Sequence, residues 1–184
     1  GQLTGQGFYE TMANSLTSPA YNQLSEQIQE QHNINILNPL SQDLAVMRQS
    51  LLFSGLEALS YNLNRKQENI KFFEFGKTYH NYDGGRQESK HLSLFVSGER
   101  FAENWNSPKS TGNFFFLKGT IESLLERLGL KGRKMGETKS DIFSEGLSIS
   151  VGKSKVAELG VLKKQILRQF DINQEVLYAD LNWD

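Results

Sequence analysis

The sequence predicts an α+β domain, a mostly antiparallel sheet with flanking helices. Two observations carry that prediction. First, Leu52, Leu56, Leu59 and Leu63, and again Leu117, Ile121, Leu124, Leu125 and Leu128, recur at helical spacing, which puts each set on one helical face. Second, strand-like segments follow one another without intervening helices, the pattern of an antiparallel sheet with helices packed on it. About six strands are expected, with the helices on one face.

The elements are read in order. Phe8 to Leu16 reads as a strand entered from Gly5 and Gly7. Ser18-Pro19 opens a predicted helix over Ser18 to Gln29, since serine caps and proline suits the first helical position. Ile34 to Leu37 is a short strand stopped by Asn38-Pro39. A helix is predicted from Leu51 to Arg65. Gly55 inside it costs about 1 kcal/mol against alanine, which a close neighbour would explain. Ile70 to Asn81 is an aromatic-rich strand, followed by a polar loop from Tyr82 to Lys90 around Asp83-Gly84-Gly85. Leu92, Leu94 and Val96 mark the next strand.

A helix over Leu117 to Leu128 follows, with Gly129 in the place of a left-handed cap and Leu130 closing it. Leu147, Ile149 and Val151 alternate with serines as a half-buried strand. Val156 to Val161 pairs with it through Gly152 to Lys155. Lys163 to Phe170 is a short helix and Glu175 to Trp183 a last strand.

The 184 residues suit one domain. A hydrophobic content of 38% with 11% aromatics supplies a core. The formal net charge of -1 gives no global signature of a nucleic-acid coat or a membrane surface. With zero cysteines, disulfides, thiolate metal sites and cysteine nucleophiles are excluded. The polar N-terminus has no signal-peptide order, and no apolar run approaches the roughly 20 residues of a membrane span. A cytoplasmic location is the expectation.

The stretch Asn38 to Arg65 (NPLSQDLAVMRQSLLFSGLEALSYNLNR), followed by FFEFGKTY at Phe72 to Tyr79, resembles the synthetase-like core of the phenylalanyl-tRNA synthetase beta subunit. Lys90 to Gly98 (KHLSLFVSG), Trp105, Phe114 to Leu130 (FFFLKGTIESLLERLGL), Ala157 to Val161 (AELGV), Phe170-Asp171 and Val176 to Leu181 continue the resemblance in order along the chain. A basic His-Pro-Gly-Arg-like turn, which the family implies near Ile142, is replaced by DIFSEGLS, so a role tied to that turn is in doubt.

The resemblance implies the fold of a class II aminoacyl-tRNA synthetase catalytic domain without its chemistry. It implies a single core domain, 1–184, drawn from a longer beta subunit. It also implies pairing with the alpha subunit, substituting for a second class II protomer, and help in positioning tRNA. The domain itself is expected to hold no cofactor; ATP and magnesium belong to the assembled enzyme. The family's dimerisation helix would precede Gln2, exposing an apolar patch along Phe8 to Leu16. Phe8, Met12 and Leu16 share one face of that strand and are interface candidates, with Tyr9 and Ala13 on the other. A chain lacking that helix is expected to bind alpha poorly. The outer face of the Leu51 to Arg65 helix (Glu57, Ser60, Asn64) is a second interface candidate, weighed against a plain solvated face.

Class II chemistry needs an arginine on the α-phosphate in a Phe-Arg-x-Glu motif, where it stabilises charge developing in phosphoryl transfer. The corresponding positions here read Tyr79-His80-Asn81-Tyr82. His80 stands where the arginine belongs and Tyr82 where the glutamate belongs. A neutral imidazole gives no permanent bidentate fork to phosphate. Arg86-Gln87-Glu88 lies beyond the Gly-Gly turn, and the family's later Gly-x-Gly-x-Gly-x-x-Arg motif is missing. Catalytic, cofactor-binding and metal residues are therefore none.

Other motifs weigh less. GLSISVGKS at Gly146 to Ser154 has five residues where a phosphate-binding loop has four, and LSISV alternates like a strand. His32, His80 and His91 have no ligand spacing. Glu74, Glu88 and Glu158 show no pairing suited to acid–base work. Lys131, Arg133, Lys134 and Lys139 form a basic segment that suits a tRNA backbone, against the blander reading of a solvated loop. Two rival functions stand beside the main one: a free-standing RNA-binding module, and a nucleotide-binding synthetase paralogue.

Overall fold

The computed structural model describes residues 1–98 and 109–184, with backbone alone at 109–112. Trp105 lies outside the described residues. The elements are α1 (Gln2–Gly5), β1 (Tyr9–Glu10), β2 (Leu16–Thr17), β3 (Val46–Met47), α2 (Leu52–Leu63), β4 (Ile70–Tyr82) and β5 (Gly85–Ser97). After them come α3 (Lys109–Arg127), β6 (Arg133–Glu137), β7 (Phe143–Val151), β8 (Ser154–Leu162), α4 (Lys164–Arg168) and β9 (Val176–Asn182). Seven strands form one sheet in the order β1-β4-β5-β9-β8-β7-β6, and β2 and β3 form a separate pair. Every pairing is antiparallel except β1 with β4. None of the helices among the described residues is long and apolar enough to cross a membrane.

The helices flank both faces of the sheet, not one. Alternation along the strands sends successive side chains to opposite faces. Leu92, Leu94 and Val96 of β5 and Leu177, Ala179 and Leu181 of β9 meet Leu117, Ile121 and Leu125 of α3. Phe95, Val176 and Tyr178 point the other way and meet Leu52, Leu56 and Leu59 of α2 and Ile166 and Leu167 of α4. A central strand buried on both sides loses the polar alternation that would reveal two cores.

The predicted helix over Ser18 to Gln29 is instead a short 3-10 turn, Pro19–Leu24. Ser18 caps it as expected, accepting from the Ala20 amide. Tertiary contact then ends it: the Ser25 hydroxyl and the Glu26 amide both donate to Asp141, at 2.7 and 2.8 Å, and Ser25 is extended. Asp141 thus anchors this segment where the family resemblance implies a basic turn.

Phe8 to Leu16 is not one strand. It breaks into β1 and β2 because the intervening chain turns onto β4, with the Ala13 amide donating to Glu74 at 3.3 Å. Phe8 is buried and stacks on Phe116, Met12 is 91% exposed and Leu16 is half-buried, so the three do not share a face. Ile34 to Leu37 supplies a single bridge, Asn35 to Val46. Tyr82 to Lys90 is not a loop. Tyr82 pairs with Gly85 across a two-residue turn, and both strands run on as a projecting hairpin; its polarity reflects exposure on both faces.

The helix predicted over Leu117 to Leu128 begins earlier, at Lys109, and β6 has no counterpart among the predicted elements, while the remaining elements follow the sequence closely. Gly129 is left-handed (φ 73°), and the Leu130 amide closes onto Leu125 carbonyl at 3.1 Å. The GLSISVGKS stretch is the β7–β8 hairpin, with Val151 opposite Ser154.

Candidate functional site

The face of the sheet under α2 carries a row of polar residues. Glu74 lies opposite Ser93, Ser93 opposite Asp180, Asp180 opposite Glu158, and Glu158 opposite Ser148. Directly opposed residues share a face, so the row runs across β4, β5, β9, β8 and β7. Each of its three carboxylates has its own basic partner. Arg48 Nη1 donates to Glu74 Oε1 at 2.9 Å, with both side chains buried. His91 Nδ1 lies 3.0 Å from Asp180 Oδ2, and Lys155 Nζ donates to Glu158 Oε2 at 3.1 Å.

A cavity of about 250 Å³ opens above this row, bounded by Ile28 and Gln49 on one side and by Thr78, His80, His91, Lys155, Glu158, Tyr178 and Asp180 on the other. His80 stands on β4 at its edge, half-buried. Its ring stacks on Tyr82 at 5.3 Å, and His32 meets Tyr82 edge-on at 4.7 Å. Burial, then the charges of His32 and His91, push the His80 imidazole below its ordinary value, so it is neutral at pH 7. Burial also lowers His91, but the hydrogen bond and charge of Asp180 outweigh it and the net shift is upward. Burial, followed by the Asp180 charge, raises the Tyr178 phenol.

His91 therefore gives a pH prediction with a definite sign. Between its unfolded and its higher folded value, the fold holds a proton that the unfolded chain releases. This contribution is present in full below about pH 6.5 and is lost as the pH rises through the folded value. His91→Gln should then destabilise more at about pH 6 than at about pH 8, read from urea unfolding of both proteins. An equal or larger loss at the higher pH would contradict it.

The donor set does not fit a nucleotide. Gripping phosphate takes cations free to point donors at its oxygens. Among the described residues lining the cavity, Lys155 and His91 are already paired to Glu158 and Asp180, and His80 is held neutral. Arg48 lies buried to one side, with Nε donating to the Lys77 carbonyl at 3.0 Å. Arg86 pairs with Asn81 and Glu88 with Tyr79, one step out of phase with His80 and Gln87, so both point to the opposite face. Magnesium fares no better, since each carboxylate of the row already has a basic side chain as its partner. Among the described residues, no cluster of three or more His, Asp or Glu side chains is placed to hold a metal.

The remaining candidates scatter. Lys131 lies in the turn before β6, Arg133 and Lys134 are in β6 at the sheet edge, and Lys139 follows it. The segment is thus mainly an edge strand, not a loop. Arg133 is half-buried and donates to the Leu130 carbonyl, leaving Lys131, Lys134 and Lys139 exposed. On α2, Glu57 accepts from the Tyr21 hydroxyl, Ser60 donates to the Phe170 carbonyl at 2.6 Å, and Asn64 is exposed. Sequence reasoning missed the polar row. The parity of each strand was readable, but the register that sets the strands side by side was not.

A family model described as the phenylalanyl tRNA synthetase beta chain CLM domain matches residues 1–183. The phenylalanine–tRNA ligase beta subunit of Bacteroides thetaiotaomicron is 42% identical over 99% of this chain and 24% of its own length. That of Porphyromonas gingivalis is 32% identical over 100% of this chain and 24% of its own. The chain therefore spans about a quarter of the length of the curated relatives it matches. Among solved structures, a pyrrolysyl tRNA synthetase from Desulfitobacterium hafniense superposes with a TM-score of 0.74 over 98% of this chain and 62% of that one. The identity is 16%, a likeness that shows the fold alone, that of a class II synthetase catalytic domain.

Proposed function

Since this chain belongs to the phenylalanyl-tRNA synthetase beta chain CLM domain family, we propose that it is a non-catalytic core of phenylalanine–tRNA ligase that pairs with the alpha subunit. Its work is architectural. It substitutes for a second class II protomer and supports the charging of tRNA with phenylalanine in the cytoplasm. ATP and magnesium act on the alpha side of the assembled enzyme.

The observation that supports this reading is the pairing of charges in the cavity. His91 and Lys155, which line the cavity with His80, are paired with Asp180 and Glu158, and His80 itself is neutral and stacked on Tyr82. A phosphate entering there would compete with Asp180 and Glu158 for His91 and Lys155 and would find no arginine fork among the lining residues described.

Titration of the chain with the alpha subunit of the same source tests the pairing, read by sedimentation. A weak one-to-one complex that saturates only at high concentration is the expected result; independent sedimentation at every concentration would overturn it. Restoring the missing arginine tests the rest. His80→Arg alone should confer no ATP-dependent activation of phenylalanine, measured as pyrophosphate exchange, because Lys155 and His91 remain tied to their carboxylates. Exchange above background in that variant would mean that one residue had silenced an otherwise competent site.

A further inference from the structure

We infer that strand β6, at the free edge of the sheet, pairs antiparallel with β6 of a second copy of this chain, joining two sheets about a two-fold axis at Met135. The inference goes beyond the pairing proposed above and holds with or without an alpha subunit.

β6 (Arg133–Glu137) is the last strand in the sheet order, and among the described residues no strand lies beyond it. Its five residues meet β7 without a shift in register. An edge of this kind presents unpaired amides and carbonyls, a template for a further strand. Proline or a bulge commonly blunts such an edge, and β6 has neither. Met135 adds an apolar reason for pairing. It lies opposite Ile149, which is fully buried in the core under α3, so its side chain shares that face. Yet Met135 is 43% exposed. The core on the α3 face thus runs out to the edge and ends on an uncovered methionine.

The residues of β6 select the occupant. Arg-Lys-Met-Gly-Glu, paired antiparallel with itself about Met135, sets Arg133 opposite Glu137 of the second copy and Glu137 opposite its Arg133. Opposite charges directly across a ladder attract, and symmetry makes the pair twice. Arg133, Met135 and Glu137 alternate along the strand and share one face, so the two methionines meet between the two ion pairs. Lys134 falls opposite Gly136 and not opposite its own copy. Glu137 is exposed and makes no ion pair among the described residues, and Arg133 commits Nη1 to the Leu130 carbonyl, with its other nitrogens left to donate.

A strand from elsewhere in a longer subunit would also extend the edge, but only a second copy repeats the arginine-to-glutamate spacing in reverse by symmetry. A nucleic-acid backbone suits the edge less well, because the Glu137 carboxylate interrupts the basic segment between Lys134 and Lys139. The contact is isologous, so it closes as a dimer. A ladder of this length supplies about four to six inter-strand hydrogen bonds, a small contact that suits a weak, reversible association.

Sedimentation equilibrium of the chain alone tests this, with Arg133→Glu and Glu137→Arg as variants. The parent should pass reversibly from monomer to dimer as its concentration rises. Either variant alone makes both cross-strand pairs repulsive and should dimerise at least roughly tenfold more weakly. An equimolar mixture of the two variants sets two glutamates of one chain opposite two arginines of the other. It should dimerise about as tightly as the parent, which also shows that both variants are folded. A parent that stays monomeric at every concentration would overturn the inference. So would variants that dimerise like the parent, or a mixture no more associated than its components. Salt-sensitive binding of tRNA, weakened by Arg133→Glu and strengthened by Glu137→Arg in a chain that does not dimerise, would assign the edge to nucleic acid and overturn it as well.

Discussion

Arg48→Met should destabilise the domain by about 3–5 kcal/mol, the usual effect of leaving a buried carboxylate without its partner. Arg48 and Glu74 have side chains 5% and 3% exposed, and their contact is 2.9 Å. The arginine is further positioned by the Lys77 carbonyl and lies against Gly76, where an added Cβ would come within 2.4 Å of its guanidinium. Two motifs of the sequence, Met-Arg before α2 and Glu-Phe-Gly in β4, therefore describe one buried ion pair and the gap that admits it. The pair is not optimal, because Oε2 of Glu74 has no hydrogen-bond partner among the described residues. Replacing both members, as Arg48→Met/Glu74→Leu, should accordingly recover much of the loss, since an apolar pair of similar volume often matches a buried ion pair. Urea unfolding of the three proteins measures this. A double variant less stable than Arg48→Met alone would show that the charges contribute more than their desolvation removes.

Gly55→Ala sets helix propensity against packing. In an exposed helix the change stabilises by about 1 kcal/mol. Here the new Cβ would lie 2.0 Å from Cζ of Phe95 and 2.4 Å from Cε2. Phe95 is fully buried and its ring lies 5.0 Å from that of Tyr178, so it has nowhere to retreat. Overpacking of this kind costs about 1–3 kcal/mol or more, and a net destabilisation is the expected sign. Phe95→Leu should relieve the clash, so that the double variant is more stable than the two single losses added together. Gly55→Ala at or above parental stability would mean that α2 can shift away from the sheet.

Gly55 also shows how far the sequence can be read. Its place in a leucine-striped helix announces that something approaches closely, but not that the something is Phe95, forty residues on. Helices α2 and α3 were legible because their spacing repeats over three turns or more. The hairpin of β7 and β8 was legible because a glycine turn separates two alternating segments. The helix expected over Ser18 to Gln29 failed because its local signals, a serine cap and a proline, were sound while Asp141, far along the chain, pulls the backbone out after Ser25. The placement of His80 where the family's motif would carry an arginine comes from the resemblance alone. What surrounds it, the row of Glu74, Asp180 and Glu158 with their three basic partners, depends on strand order and register, which no local pattern encodes.

Calorimetric titration of ATP with magnesium into the chain alone tests the central claim most directly, that this class II fold has no nucleotide site of its own. The paired charges under His80 predict no saturable heat across the accessible concentrations. A dissociation constant in the micromolar range would contradict it and would favour a nucleotide-binding synthetase paralogue over an architectural subunit.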